Sequence, residues 1–503
     1  GLKTTLAVVI AVVVVAAVVF FYMLGSGFFA SHSTAAAIGE HKLTPAMVNY
    51  YYKDAYNYVS QQYGQLLSYM IDSSKSLKEQ YYDEEAGTTW ADYFTDNGLK
   101  NAAQMYALYD EAVKNGFTLT DDQQSQIDSQ ISMMDVYAGA YGYSSTDAFI
   151  AATYGAGCTA KNYREYLEIN TTAEAYAASV NDSFTYTADQ ISEEYAANPN
   201  DYDGVTYRVF MFYNSWYTDD EGNALDTDKA KELSLKDAEA MASATAGDET
   251  AFAEACIEHA SDSLRESYEN DDISLRTSVR YSSVPEAIAD WLFDSARVEG
   301  ETYYAEADTG SYVVYYLSRD VHDYGMPNVR HILFSVSDSS DEEAVAAAKE
   351  KAEAALAEYE AGEHTEEAFT AIGDQLLSDS EASEARLYEN IYPGQMVSAF
   401  EDWCYDADRE VGDTGIVQTD YGFHVMYFSG RGDNLRDYLV ETALRSNDFT
   451  AWQSSIVDDA TYSTTGAMRY TTKYAIIHCK GRRLAALAFG GQTMNEPFCR
   501  EVM

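Results

Sequence analysis

Part of this chain is written twice, and that repeat limits the folds open to it more than any other feature of its 503 residues. Val205-Thr206-Tyr207-Arg208-Val209-Phe210 can be laid on Val329-Arg330-His331-Ile332-Leu333-Phe334. The helical stretch around Lys229 to Ala244 answers the one from Asp341 to Tyr359, and Phe252-Ala253-Glu254-Ala255 with Ser261-Asp262-Ser263 answers Phe369-Thr370-Ala371-Ile372 with Ser378-Asp379-Ser380. Val284 to Trp291 matches Met396 to Trp403, and Gly310 to Tyr315 matches Gly422 to Tyr427. Strand patterns of period two alternate with helical patterns of period 3.6 in the same order in both copies, which predicts two α+β modules in tandem over 203–320 and 327–431. In this alignment Tyr207 stands where the second copy has His331, Tyr312 where it has His424, and Ile288 where it has Phe400.

The second copy reads as strand, helices, strand, strand. Its first helix carries a Ser340-x-x-Glu343 capping box, an apolar line through Val345, Ala348, Ala352, Leu356 and Tyr359, and Gly362 as a stop. In strand alternation His331 shares a face with Val329 and Leu333, and His424 with Met426 and Phe428, so both imidazoles can point into the module. Met396 and Phe400, four residues apart, share one helix face.

This order of elements resembles the parvulin family of peptidyl-prolyl isomerases. The resemblance implies action on X-Pro bonds of other polypeptides, whose isomers interchange in tens to hundreds of seconds because twisting the bond removes amide resonance worth roughly 18–20 kcal/mol. A catalyst needs no covalent step; it must seat the proline ring, take the preceding carbonyl out of water and stabilise the twisted amide with fixed dipoles. The resemblance maps the ring pocket to Met396, Phe400 and Leu387, the hydrogen-bonded floor to His331, His424 and Thr419, and a residue beside the substrate carbonyl to Asp379. The family usually has a Gly-Gly pair before the leucine aligned with Leu387. Ala385-Arg386 stands there instead, a strained choice if that turn requires positive φ. The first copy, lacking both imidazoles, is expected to be inactive.

Leu6 to Leu24 form an apolar run long enough for a transmembrane helix, so residues 1–30 are expected to anchor the chain in a membrane as a single pass, with its bulk on the extracytoplasmic side. Residues 31–200 read as an all-helical region once a short strand or turn over Ile38 to Leu43 is passed, its first helix opened by Thr44 as N-cap and Pro45 in the first turn, with tyrosines at 50, 51, 52, 56 and 63. Weakly, this region resembles the chaperone part of the SurA and PrsA type of foldase. In that type a C-terminal helix, here within 432–472, returns to pack on it. The remaining 473–503 form a basic tail with Lys480, Arg482, Arg483 and Arg500.

A formal net charge of −50 excludes a nucleic-acid partner, because so acidic a surface repels phosphate. The cysteines, Cys158, Cys256, Cys404, Cys479 and Cys499, have no metal-ligand spacing, and neither a metal nor a cofactor is expected. The whole reads as a membrane-anchored isomerase and chaperone for unfolded or newly translocated chains containing X-Pro bonds. The alternative is a holdase that binds such clients with inactive parvulin folds. Oligomeric state stays open.

Overall fold

The computed structural model describes residues 2–25 and 27–471, with side chains for 12–23 and from 27 onward. The chain divides into two compact units, one formed by Gly1–Thr185 with the segment from Arg445 on, the other by Tyr186–Leu444. The basic tail over 473–503, with Cys479 and Cys499, lies outside the described residues.

Long helices of the first unit include Pro45–Tyr63, Trp90–Lys114, Asp121–Ala140 and Ala160–Ser183. Thr44 starts the first of them by accepting a hydrogen bond from Met47 N at 3.2 Å, and Pro45 occupies the first turn, where its missing N–H is not needed. The first part of the tyrosine stripe on this helix is core and Tyr63 at its end is exposed: Tyr50, Tyr51 and Tyr52 are buried, with Leu99, Tyr106 and Tyr163 packed around Tyr50 and Tyr51. Each buried phenol needs a partner; Tyr50 donates to Asn162 Oδ1 at 2.7 Å, and Tyr51 accepts from Asn170 Nδ2 at 3.2 Å. The C-terminal segment belongs to the same unit. Arg445 Nη1 donates to the Asn181 carbonyl at 3.1 Å, Trp452 packs edge-on against Tyr176, and Ser463–Thr464 adds a strand beside Ala36–Ile38.

Two expectations are corrected here. The region over 31–200 is not all-helical. Ala36–Ile38 lies between His41–Leu43 and Ser463–Thr464 in a three-stranded sheet, and Tyr81–Asp83 pairs with Thr88–Thr89. The short strand or turn read over Ile38 to Leu43 is the first of these hairpins, whereas the other segments, of two or three residues, carry too little alternation to announce a strand. The transmembrane helix over Leu6 to Leu24 does not stand either: a helix spans Leu2–Gly25, but among the described residues no helix is long and apolar enough to cross a membrane. The single-pass membrane contact inferred from that run falls with it.

The second unit holds two four-stranded antiparallel sheets with matching strand order. In the first, the order is Leu275–Arg280, Gly204–Tyr213, Gly310–Asp320, Thr302–Ala307; in the second, Glu384–Tyr388, Gly325–Ser335, Gly422–Asn434, Thr414–Thr419. Two helices follow each opening strand, Thr227–Thr245 and Glu249–His259 in one copy and Glu342–Glu360 and Glu366–Ser378 in the other. A short helix covers part of each fold before its last hairpin, Glu286–Leu292 and Ser398–Tyr405. The helix Glu342–Glu360 opens one residue later than its sequence suggests. Asp341 caps it by accepting from Glu343 N and Ala344 N, while Ser340 bonds to Asp338, and Ala361 rather than Gly362 closes it.

Candidate active site

Register decides which side chains share a face. Arg386 stands opposite His331, which stands opposite Met426; Glu384 stands opposite Leu333, which stands opposite His424, itself opposite Val417. Directly opposed residues, and residues two apart on one strand, point the same way. Glu384, Arg386 and Tyr388 therefore join the two histidines and Thr419 on one face. Ile332, Phe334, Phe423 and Val425 fill the other, under the two long helices. The short helix Ser398–Tyr405 roofs the histidine face, burying Phe400 and Cys404 against Val329, Val417, Met426 and Phe428.

Both imidazoles are buried, His331 at 3 % exposure and His424 at 6 %. Their Nδ1 atoms lie 3.1 Å apart, and Thr419 Oγ1 is 2.9 Å from His424 Nε2. Tyr421 N donates to Thr419 Oγ1, and the Glu384 carboxylate, 3.5 Å from His331 Nε2, favours a proton on that nitrogen. At that distance no hydrogen bond forms, so Nε2 is a buried polar atom without one. These contacts assign the tautomers: the Thr419 hydroxyl donates to His424 Nε2, His424 Nδ1–H donates to His331 Nδ1, and His331 Nε2–H faces Glu384. Burial, and next the neighbouring His331, pull His424 from its ordinary 6.5 down to about 4. Burial also lowers His331, against the pull of Glu384. Both rings are neutral at neutral pH, a pair of fixed dipoles and not an acid and a base.

Phe400 is 2 % exposed and stands edge-on to both histidines, 5.6 Å from His331 and 5.3 Å from His424 between ring centres. Met396 packs partly buried beside it. The loop carrying Met396 is tied to the roof helix: Glu401 accepts from Gly394 N at 2.8 Å and Met396 N at 3.4 Å, and Tyr405 donates to the Ile391 carbonyl at 2.6 Å. Gly394 supplies φ +83° at the turn.

Five of the seven residues read from the sequence come together: His331, His424, Thr419, Phe400 and Met396. Leu387 does not join them. It pairs with Arg330, so it points to the opposite face, and the adjacent Tyr388 walls the pocket with its ring 5.2 Å from His331 and 6.2 Å from Phe400. Asp379 follows the helix Glu366–Ser378 as an exposed C-cap, and its carboxylate touches none of the site groups. Sequence reading missed Glu384, Arg386 and Tyr388; their signal is the spacing i, i+2, i+4 along a strand whose other face carries Ala385 and Leu387. Ala385-Arg386 is unstrained, since neither has positive φ. The close approach falls to the helix, where a Cβ at Gly373 would come within 2.9 Å of Ala385 Cβ.

The first copy differs in register from the sequence alignment. Gly310 pairs with Tyr213 as Gly422 pairs with Ser335, so Val209, not Tyr207, stands where His331 does. An ion pair fixes the same register. Arg208 Nε reaches Glu249 at 2.9 Å and Arg330 Nε reaches Glu366 at 2.6 Å, each glutamate being the first residue of its helix. Tyr312 occupies the place of His424, and Ile288, fully buried, that of Phe400.

Residues 315–431 match the family model described as the PPIC-type PPIASE domain, a span that takes in the whole second sheet to Arg431, its helices and the histidine pair. No curated protein matches the chain.

Proposed function

We propose, given that residues 315–431 form a parvulin-type peptidyl-prolyl cis-trans isomerase domain, that this chain is a foldase that holds unfolded polypeptides while it isomerises their X-Pro bonds. The observation that carries the site assignment is the neutral histidine pair under Phe400, held at one end by Thr419 and faced at the other by Glu384. Phe400, Met396 and Tyr388 seat the proline ring, and the histidines with Thr419 form the polar floor beneath the amide. A ring seated there loses water around the bond, which favours the twisted amide, whose carbonyl and nitrogen are less coupled than in either planar isomer. The paired imidazoles need no proton transfer; their role is to keep the floor in one orientation. The first copy, with Val209 and Tyr312 in place of the histidines, serves shape or client binding and no catalysis.

Client holding draws support from the first unit. Tyr58 at 67 %, Leu66 at 63 %, Tyr69 at 87 % and Tyr81 at 54 % exposure leave amphipathic rings and an apolar side chain in solvent along one short stretch of chain, the kind of surface that binds unfolded polypeptides loosely. The assembly of this unit from segments on both sides of the isomerase in sequence supports a reading as the SurA and PrsA type. On that resemblance the site of action lies outside the cytoplasm, among newly translocated chains. Refolding of a client limited by an X-Pro bond tests the reading. The chain speeds the slow phase, Met396→Ala slows it again, and replacing Tyr58, Leu66 and Tyr69 by Ser raises client aggregation while leaving short-peptide isomerisation in place. A slow phase untouched by the wild-type chain contradicts the foldase reading.

A further inference from the structure

The turn that leads into Met396 also holds an aromatic ring out in solvent. Tyr392-Pro393-Gly394-Gln395 closes with Gln395 N donating to the Tyr392 carbonyl at 3.1 Å, and its central places hold a proline and a glycine of φ +83°, as a type II turn requires. The Gln395 side chain returns the bond, accepting from Tyr392 N at 3.0 Å. Such closure brings Tyr392 within about 7 Å, Cα to Cα, of the residue that precedes Met396. On its other side Ile391 N donates to the Pro327 carbonyl at 2.9 Å, and Ile391 is buried in the cluster that holds Phe400 and Met396. Tyr392 is thus fixed through both neighbours while its own side chain stays 43 % exposed. Tyr438, 41 % exposed on the helix Leu435–Val457, lies nearly parallel to it, at 16° with ring centres 6.3 Å apart. Val397, next after Met396, is exposed as well. Two tyrosine rings and a valine in solvent around one turn, in a chain of net charge −50, make a patch and not scattered exposure.

We infer that Tyr392 and Tyr438 form an aromatic shelf that selects substrates with an aromatic residue immediately after the proline. This rests on the isomerase reading above. The bond to be twisted precedes the proline and lies over the histidines; Tyr388 walls the pocket from the strand, and the turn before Met396 walls it from the roof. With the ring against Phe400 and Met396, the chain beyond the proline leaves across that turn. The next Cα lies about 3.8 Å on, so its side chain comes down on the Tyr392 ring. An aromatic side chain there takes out of water the faces that two fixed rings otherwise expose, and adds ring-to-ring contact in offset or edge-on geometry. Because the turn is pinned before substrate arrives, little order is lost on binding. The patch continues the proline pocket, so its occupant is the same polypeptide and not a separate partner.

The test is cis-to-trans exchange, with each peptide's uncatalysed rate subtracted, in two series: one varies the residue after proline among Phe, Leu and Ala, the other varies the residue before it in the same way. The wild-type chain favours Phe over Ala after the proline by about three- to tenfold in kcat/KM, with Leu between, and the advantage persists as salt rises because no charge carries it. Tyr392→Ser brings the ratio to about one, Tyr392→Phe keeps it, and Tyr438→Ser, outside the turn, lowers it part of the way. Ratios between peptides do not depend on how much of a variant is folded. A wild-type ratio at or below one, a ratio that Tyr392→Ser leaves unchanged, or an aromatic preference confined to the residue before proline overturns the inference while isomerase activity stands. Absence of acceleration on every peptide overturns the isomerase reading and this inference together.

Discussion

His331 Nδ1 and His424 Nδ1 lie 3.1 Å apart on neighbouring strands, a distance at which the two nitrogens share one proton between them. Burial keeps both rings neutral, Thr419 donates to His424 Nε2, and Glu384 faces His331 Nε2 at the far end.

Stability should depend on pH through His424. Its folded value of about 4 lies below the ordinary 6.5, so between these the unfolded chain binds the extra proton. The contribution is complete above about pH 6.5 and falls by about 3 kcal/mol as pH drops toward 4. Denaturation of the wild type and of His424→Phe over this range measures it; the difference between the two slopes is the His424 contribution. The comparison also cancels Asp54, whose carboxyl burial raises to about 6 and whose effect on stability has the opposite sign.

Glu384 should act as a positioning residue. Glu384→Leu removes the charge that favours a proton on His331 Nε2 and frees Arg386, so nitrogen NMR of the imidazoles should show a mixture of tautomers, with kcat/KM down by about three- to tenfold. Glu384→Gln, which keeps an acceptor, should fall between. An unchanged tautomer in Glu384→Leu contradicts this role.

The two roof residues should separate function from packing. Phe400→Ala opens a cavity costing about 3–5 kcal/mol and removes the ring that seats proline, lowering both stability and rate. Ile288→Ala, at the matching place in the first copy, should cost about 2–5 kcal/mol with peptide isomerisation by the folded fraction intact.

Register in the first copy can be read directly. Val209→His with Tyr312→His should give two imidazoles in ring-to-ring Overhauser contact, whereas Tyr207→His with Tyr312→His should not, since Tyr207 lies two residues farther along its strand.

Much of this was readable in the sequence, and the misses share one cause. A strand tells which residues alternate but not where they pair: the two-residue slip that exchanges Tyr207 for Val209 keeps every side chain on its face, so no hydrophobic pattern betrays it. A one-residue shift does change the face, and it decided between Leu387 and Tyr388. It went unseen because Glu384–Tyr388 is too polar and too short to stand out as a strand. The histidines, Thr419, Phe400 and Met396 were found because each sits inside a longer element whose copy could be laid beside it. Helix ends near Ser340 misled by one residue because Asp341 caps as readily.

Cis-to-trans exchange of a short X-Pro peptide, with and without Met396→Ala and Phe400→Ala, tests the central claim most directly. The account predicts clear acceleration by the wild-type chain and a loss of at least about tenfold in both variants, measured on folded protein, since both remove contacts to the ring being turned. Exchange no faster than in buffer, or acceleration that survives both substitutions, would place the activity elsewhere or nowhere in residues 315–431.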